Sequence, residues 1–111
     1  MTSPQLSSNH LRANRKRLAF SQDEVAFLLG TQSGAKVCRY ERFIRVPSLE
    51  TALVYEAIFK RTVSELLPGL YQKVEREVAG RAQTLAERAE HRRRSGQNAR
   101  KREALAELAA L

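Results

Sequence analysis

The sequence predicts an all-α protein. Three observations carry that prediction. Apolar residues recur at three- and four-residue spacings along most of the chain. Two Ser/Thr-x-x-Glu boxes, Ser21-Gln22-Asp23-Glu24 and Thr62-Val63-Ser64-Glu65, stand where a helical pattern begins. No segment alternates apolar and polar residues as a half-buried strand does. The pattern places five short helices in residues 9–69 and a long amphipathic helical extension in residues 70–111. Residues 1–8, with Pro4, read as a loose arm.

A first helix opens at Asn9, with Leu11, Leu18 and Ala19 on one side and Arg12, Arg15, Lys16 and Arg17 around them. The Ser21 box caps a second helix. There the hydroxyl accepts from the Glu24 amide and the carboxylate reaches back to the Ser21 amide. Val25, Ala26, Leu28 and Leu29 are its expected inner face. Gly30 suits the left-handed end of that helix. Residues 31–34 form a polar turn, and a third helix follows over about 34–42. Pro47 enforces a break. Ser48 caps a fourth helix bearing Leu49, Ala52, Leu53, Ala57 and Ile58, and the Thr62 box opens a short fifth through Leu66 and Leu67. Pro68-Gly69 marks a boundary.

From Leu70 the composition changes. Leu70, Val74, Val78, Ala82, Leu85 and Ala89 make a thin apolar stripe between charges, weakened at Gly80. Glu77 with Arg81 and Glu90 with Arg94 stand four residues apart in the favourable order. Residues 95–98 interrupt the pattern, and a last helix carries Leu105, Leu108 and Leu111 on a narrow face.

The chain has 111 residues and a formal net charge of +8, from 20 Lys and Arg against 12 Asp and Glu. That surplus favours a polyanionic partner. It is spread evenly along the chain, so no segment reads as a basic tail. A single cysteine, Cys38, excludes an internal disulfide framework and suits a reducing cytoplasm. The first residues lack a signal-peptide layout, and no apolar run is long enough to span a membrane. With no Trp and few aromatics, base-stacking recognition of single strands is disfavoured.

Several fragments carry a family resemblance. They are Leu11-Arg12, Arg15-Lys16-Arg17, Ser21 to Ala26, Leu29-Gly30, Arg39-Tyr40-Glu41-Arg42, Pro47 to Thr51 and Ser64 to Leu67. In this order and spacing they resemble the Cro/repressor-type (Xre-like) helix-turn-helix family over residues 9–67. The resemblance implies a five-helix repressor-like fold and a bacterial, cytoplasmic transcription regulator. Such a protein would be nucleoid-associated when bound to DNA, and would act as a repressor and a homodimer on double-stranded DNA. Its second helix braces against the backbone, and its third lies in the major groove.

The stretch between Gly30 and Tyr40 is one residue longer than the family pattern. Apolar spacing places the extra residue in the turn. Otherwise Lys36 and Arg39 would face the core, and unpaired cations are too costly there. In the chosen register Val37 and Tyr40 face inward. The expected base contacts are then Ser33, Gly34, Ala35, Lys36 and Arg39. Lys36 and Arg39 can donate to guanine O6 and N7, and the Ala35 methyl can touch a thymine methyl. Gly34 would let the backbone approach the bases. Gln22, Arg42 and Arg45 are the expected phosphate contacts. The resemblance makes Arg15 and Glu41 an internal salt bridge. Arg12, Lys16 and Arg17 read as solvated.

No nucleophile, carboxylate pair or phosphate-binding glycine loop stands out, so no enzyme chemistry, cofactor or small-molecule ligand is expected. His10 and His91 have no ligand spacing, and no metal site is expected. Cys38 beside Arg39 reads as a small groove-fitting side chain, with redox sensing as the rival reading. The Arg92-Arg93-Arg94 and Arg100-Lys101-Arg102 clusters either grip phosphate or are simply solvated. An alternative function makes the helix-turn-helix a scaffold, with the C-terminal helices docking a partner as an antitoxin-like adaptor.

Overall fold

The structure is a computed structural model that describes residues 9–92 and 99–111. Among them are seven helices and no strand: α1 (Leu11–Arg17), α2 (Gln22–Leu29), α3 (Gly34–Glu41), α4 (Leu49–Phe59), α5 (Val63–Leu66), α6 (Pro68–Arg92) and α7 (Ala99–Ala109). None is long and apolar enough to cross a membrane. The chain divides into two compact units, Met1–Tyr71 and Gln72–Leu111. The loose arm and the interruption expected at residues 95–98 lie outside the described residues, as does Arg94 of the expected Glu90 pair.

In the first unit the capping signals act as the sequence predicts. Ser21 Oγ accepts from the Glu24 amide at 3.0 Å, and Glu24 returns the bond to the Ser21 amide at 2.8 Å. Thr62 and Glu65 form the same box at the head of α5. Ser48 caps α4 through the Thr51 amide. Gly30 ends α2 at φ 77° with its N–H on the Phe27 carbonyl, where an L side chain would be strained.

The core gathers Leu11, Val25, Ala26, Val37, Tyr40, Tyr55, Phe59, Leu66 and Leu67. Helix α2 packs on α3 and α4, α4 on α5, and α1 on α3. Polar ties close the ring. The His10 amide donates to the Leu66 carbonyl at 2.8 Å, Arg17 Nη2 to the Phe59 carbonyl at 3.2 Å, and the Val63 amide to Glu56 Oε1 at 2.9 Å.

Several expected inner residues face outward. Leu28 is 45%, Leu53 51% and Leu49 76% exposed, and Leu18, Ala19 and Ala57 are exposed too. Helix α2 is only about two turns long, and its buried face is the narrow one through Val25, Ala26 and Leu29. Helix α4 is apolar almost all round, so periodicity cannot choose its inner face. Packing chooses Ala52, Tyr55 and Phe59. Tyr55 meets Tyr40 edge-on at 6.2 Å and Phe59 at 5.6 Å.

In the second unit, α6 runs unbroken through Gly80. It starts at Pro68, where the missing N–H costs no helical bond. The marker expected to end a domain thus opens a helix. Glu77 accepts from Lys73 at 3.0 Å and lies 3.9 Å from Arg81. Ala82 and Leu105 are buried, whereas Leu108 and Leu111 are 39% and 55% exposed.

Two outcomes test this packing. The Tyr55 hydroxyl is buried without a hydrogen-bond partner among the described residues. Burial, helped by the nearby Glu41 carboxylate, pushes it well above the ordinary phenol range. Tyr55→Phe removes that orphan, so it should leave stability unchanged or raise it by about 1 kcal/mol in urea melts.

The second outcome concerns the caps. The Ser21 backbone and hydroxyl bonds hold the Glu24 carboxyl below its ordinary value of 4.5, and the Thr62 side chain and backbone do the same for Glu65. Depressed folded values mean a contribution fully present above pH 4.5, lost as pH falls through the lower folded values. The urea midpoint should drop more between pH 6 and pH 3 in the parent chain than in an E24Q/E65Q variant.

Candidate nucleic-acid interface

Helix α3 takes its orientation from both of its ends. At its start, Ser33 Oγ accepts from the Ala35 amide at 3.0 Å. The next amide, of Gly34, donates to Asp23 Oδ1 on α2 at 3.1 Å. A Cβ on Gly34 would stand 2.5 Å from that oxygen. Gly34 is therefore buried where α3 meets the first turn of α2. Its glycine serves a helix-helix approach, not the approach to bases expected of it. At the other end, Asn9 Nδ2 donates to the Tyr40 and Glu41 carbonyls, both at 3.2 Å, and Asn9 Oδ1 accepts from the Leu11 amide.

Between these ends Val37 and Tyr40 face inward, as the apolar spacing predicts. Val37 is 0% and Tyr40 4% exposed. At 100° per residue the opposite face carries Ala35, Arg39 and Arg42. All three are exposed. Neither Arg39 nor Arg42 has a side-chain bond or ion pair among the described residues. Arg45 follows, also exposed.

Lys36 does not share that outward face. It is half-buried on the flank and lines a hollow with Gly30, Thr31, Tyr40, Glu50 and Thr51. Lys36 stands about 110° round α3 from the centre of the outward face, against about 50° for Arg39. Cys38 occupies the opposite flank, half-buried. It lines a second hollow with Arg12, Ser21, Gln22, Ala35 and Arg42.

Behind this hollow lies the ion pair that links the helices. Arg15 Nε donates to Glu41 Oε2 at 2.6 Å and Nη2 to Oε1 at 3.1 Å, a two-pronged bond. The side chains are 12% and 4% exposed. Arg15 Nη1 also donates to the Phe20 carbonyl at 3.0 Å. The hydrogen bond to Glu41 holds the Arg15 guanidinium even more firmly protonated than usual, outweighing burial. Gln22 Nε2 joins at 3.2 Å from Glu41 Oε1. The expected phosphate-binding amide is thus engaged inside the protein. Helices α1, α2 and α3 meet at one carboxylate.

Asn9 and Asp23 were not foreseen from the sequence. Each acts through a contact between residues far apart in the chain, which local spacing does not encode. Arg12 was expected to be solvated; it is exposed, yet it borders the same hollow as Arg42.

Removing Glu41 should leave Arg15 charged, buried and unpaired. Glu41→Ala is expected to cost about 3–5 kcal/mol in denaturant melts. The combined Arg15→Met, Glu41→Leu variant should cost much less than the sum of the single changes, because neither charge is then stranded. Additive losses would contradict the pairing.

No protein-family model matches this chain, and no curated protein or solved structure matches it either.

Proposed function

We propose that the chain is a sequence-specific double-stranded DNA-binding transcription regulator of the repressor-like helix-turn-helix kind, working as a homodimer. The observation that carries the reading is the outward face of α3. Ala35, Arg39 and Arg42 are exposed there together, and the two guanidinium groups have no acid to hold them among the described residues. Arg39, in the last turn of α3, can donate two bonds to guanine O6 and N7, and the Ala35 methyl can meet a thymine methyl. Ser33 keeps its hydroxyl hydrogen free while capping, so it can donate to a base or a phosphate.

Arg42 and Arg45 follow the helix and suit the phosphate backbone, with Arg12 beside them across the hollow. Lys36 takes a flanking role, reaching a phosphate at the rim. Gln22 and Gly34 position α3 from within. The +8 charge supports the same partner. Two α3 helices on one duplex would read half-sites about 34 Å apart.

A second reading has one observation in its favour. Phe27 is 83%, Leu49 76% and Ile44 68% exposed. Apolar surface of that kind suits a protein partner. In that adaptor, the arginines of α3 would be dispensable.

The decisive measurement is a band-shift titration at stated salt, with the DNA upstream of its own gene against random competitor. The parent chain should prefer the former. Arg39→Ala should cost about 1–3 kcal/mol on the specific site and flatten the preference. Arg45→Ala should weaken binding to all sequences alike and lower the salt slope by about one. Equal affinity of the parent chain for both DNAs overturns sequence-specific binding. If R39E/R42E keeps full cellular function, the adaptor reading replaces it.

A further inference from the structure

The long helix of the second unit carries a seam that its own unit leaves open. On α6, residues 74, 78, 81, 85 and 88 form one stripe at alternating four- and three-residue steps, with Val74, Val78 and Leu85 apolar and Arg81 and Arg88 charged. Val74 and Leu85 are 44% and 43% exposed, and Arg81 and Arg88 are exposed. The covered face of the helix lies elsewhere, through Ala79, Ala82 and Ala86, about 110° round the axis. Beside the seam is a hollow bordered by Gly80, Thr84 and Leu85, and a Cβ at Gly80 would meet nothing within 4 Å.

Charge decides the occupant and its direction. In a parallel, in-register pair of α6 helices, Arg81 would face Arg81 and Arg88 would face Arg88. Two layers of the seam, on either side of Leu85, would then hold like charges. In an antiparallel pair centred between Ala79 and Gly80, Val74 faces Leu85 and Val78 faces Arg81. The Arg81 stem then lies on the aliphatic Val78, and Arg88 comes opposite Tyr71. The acids that flank the seam, Glu75 and Glu77, stand at the N-terminal end, and so approach the arginine-bearing end of the other helix. Glu77 leaves only exposed pairs with Lys73 and Arg81 to do so. The two-fold axis passes at the level of Ala79 and Gly80, whose positions on the helix lie away from the seam.

We propose that α6 is the dimer surface of this protein, pairing antiparallel with α6 of a second copy through this seam. The proposal rests on the homodimer reading above and adds to it the surface and the direction.

The test uses the full chain carrying Cys38→Ser, with Val74→Cys or Leu85→Cys added, under mild oxidation. The antiparallel seam brings position 74 of one copy to position 85 of the other. It keeps the two 74 positions about 16 Å apart along the axis. Covalent dimers should therefore form in an equimolar mixture and not in either preparation alone. Self-cross-linking of Val74→Cys would establish the parallel direction and overturn the proposal. Sedimentation of the parent chain should show a dimer. A dimer with no cross-link in any preparation places the interface elsewhere and overturns the seam alone. A monomer at about 100 µM overturns both the seam and the homodimer reading, and leaves the band-shift result to judge DNA binding separately.

Discussion

The Arg15 guanidinium and the Glu41 carboxylate lie almost out of water, and the position of α3 depends on their bond. Each charge alone would be costly at that depth. Together they are satisfied by two parallel hydrogen bonds, and Arg15 Nη1 donates to the Phe20 carbonyl. The pair spans the end of α3 and the middle of α1, and Gln22 draws α2 into it. A purely apolar contact could slide by part of a turn with little penalty. A two-pronged ionic bond cannot, because rotating either helix would strand a charge. The pair sets the rotation of α3 about its own axis, and hence which of its side chains face outward.

The same logic governs the other end of α3. The Gly34 amide is held by Asp23, and the absence of a side chain lets the two helix starts meet. With both ends fixed, the Val37 and Tyr40 face is directed into the core. Its back, with Arg39 and Arg42, is left in solvent. In the proposed regulator, stability and recognition would thus be served by different residues of one short helix. The buried charges position it, and the solvated ones remain free to meet a partner.

The second unit is built differently. Its long helix is stabilised locally, by exposed pairs four residues apart and by a proline first turn, and it buries few large apolar side chains. Such a helix retains uncovered apolar surface at Val74 and Leu85. An added layer of packing from outside the chain is the natural complement of that economy.

The all-α class, the helix starts at Ser21, Ser48 and Thr62, and the end at Gly30 were legible in the sequence because caps and turns are local chemistry, written in a few adjacent residues. The register of α3 was legible too, since burying Lys36 and Arg39 is too expensive for any packing to reverse. Other features were decided only in three dimensions. Helix α4 is apolar on nearly every side, so only its neighbours could select Tyr55 and Phe59 over Leu49 and Leu53. Gly34 and Gln22 changed roles because Asp23 and Glu41, distant in sequence, claim them. Lys36 lies on a flank because it stands about 110° round α3 from the centre of the outward face. The sequence determined where each helix begins and which residues could not be buried. The tertiary structure decided which polar groups are already spoken for, because that depends on contacts that no local spacing records.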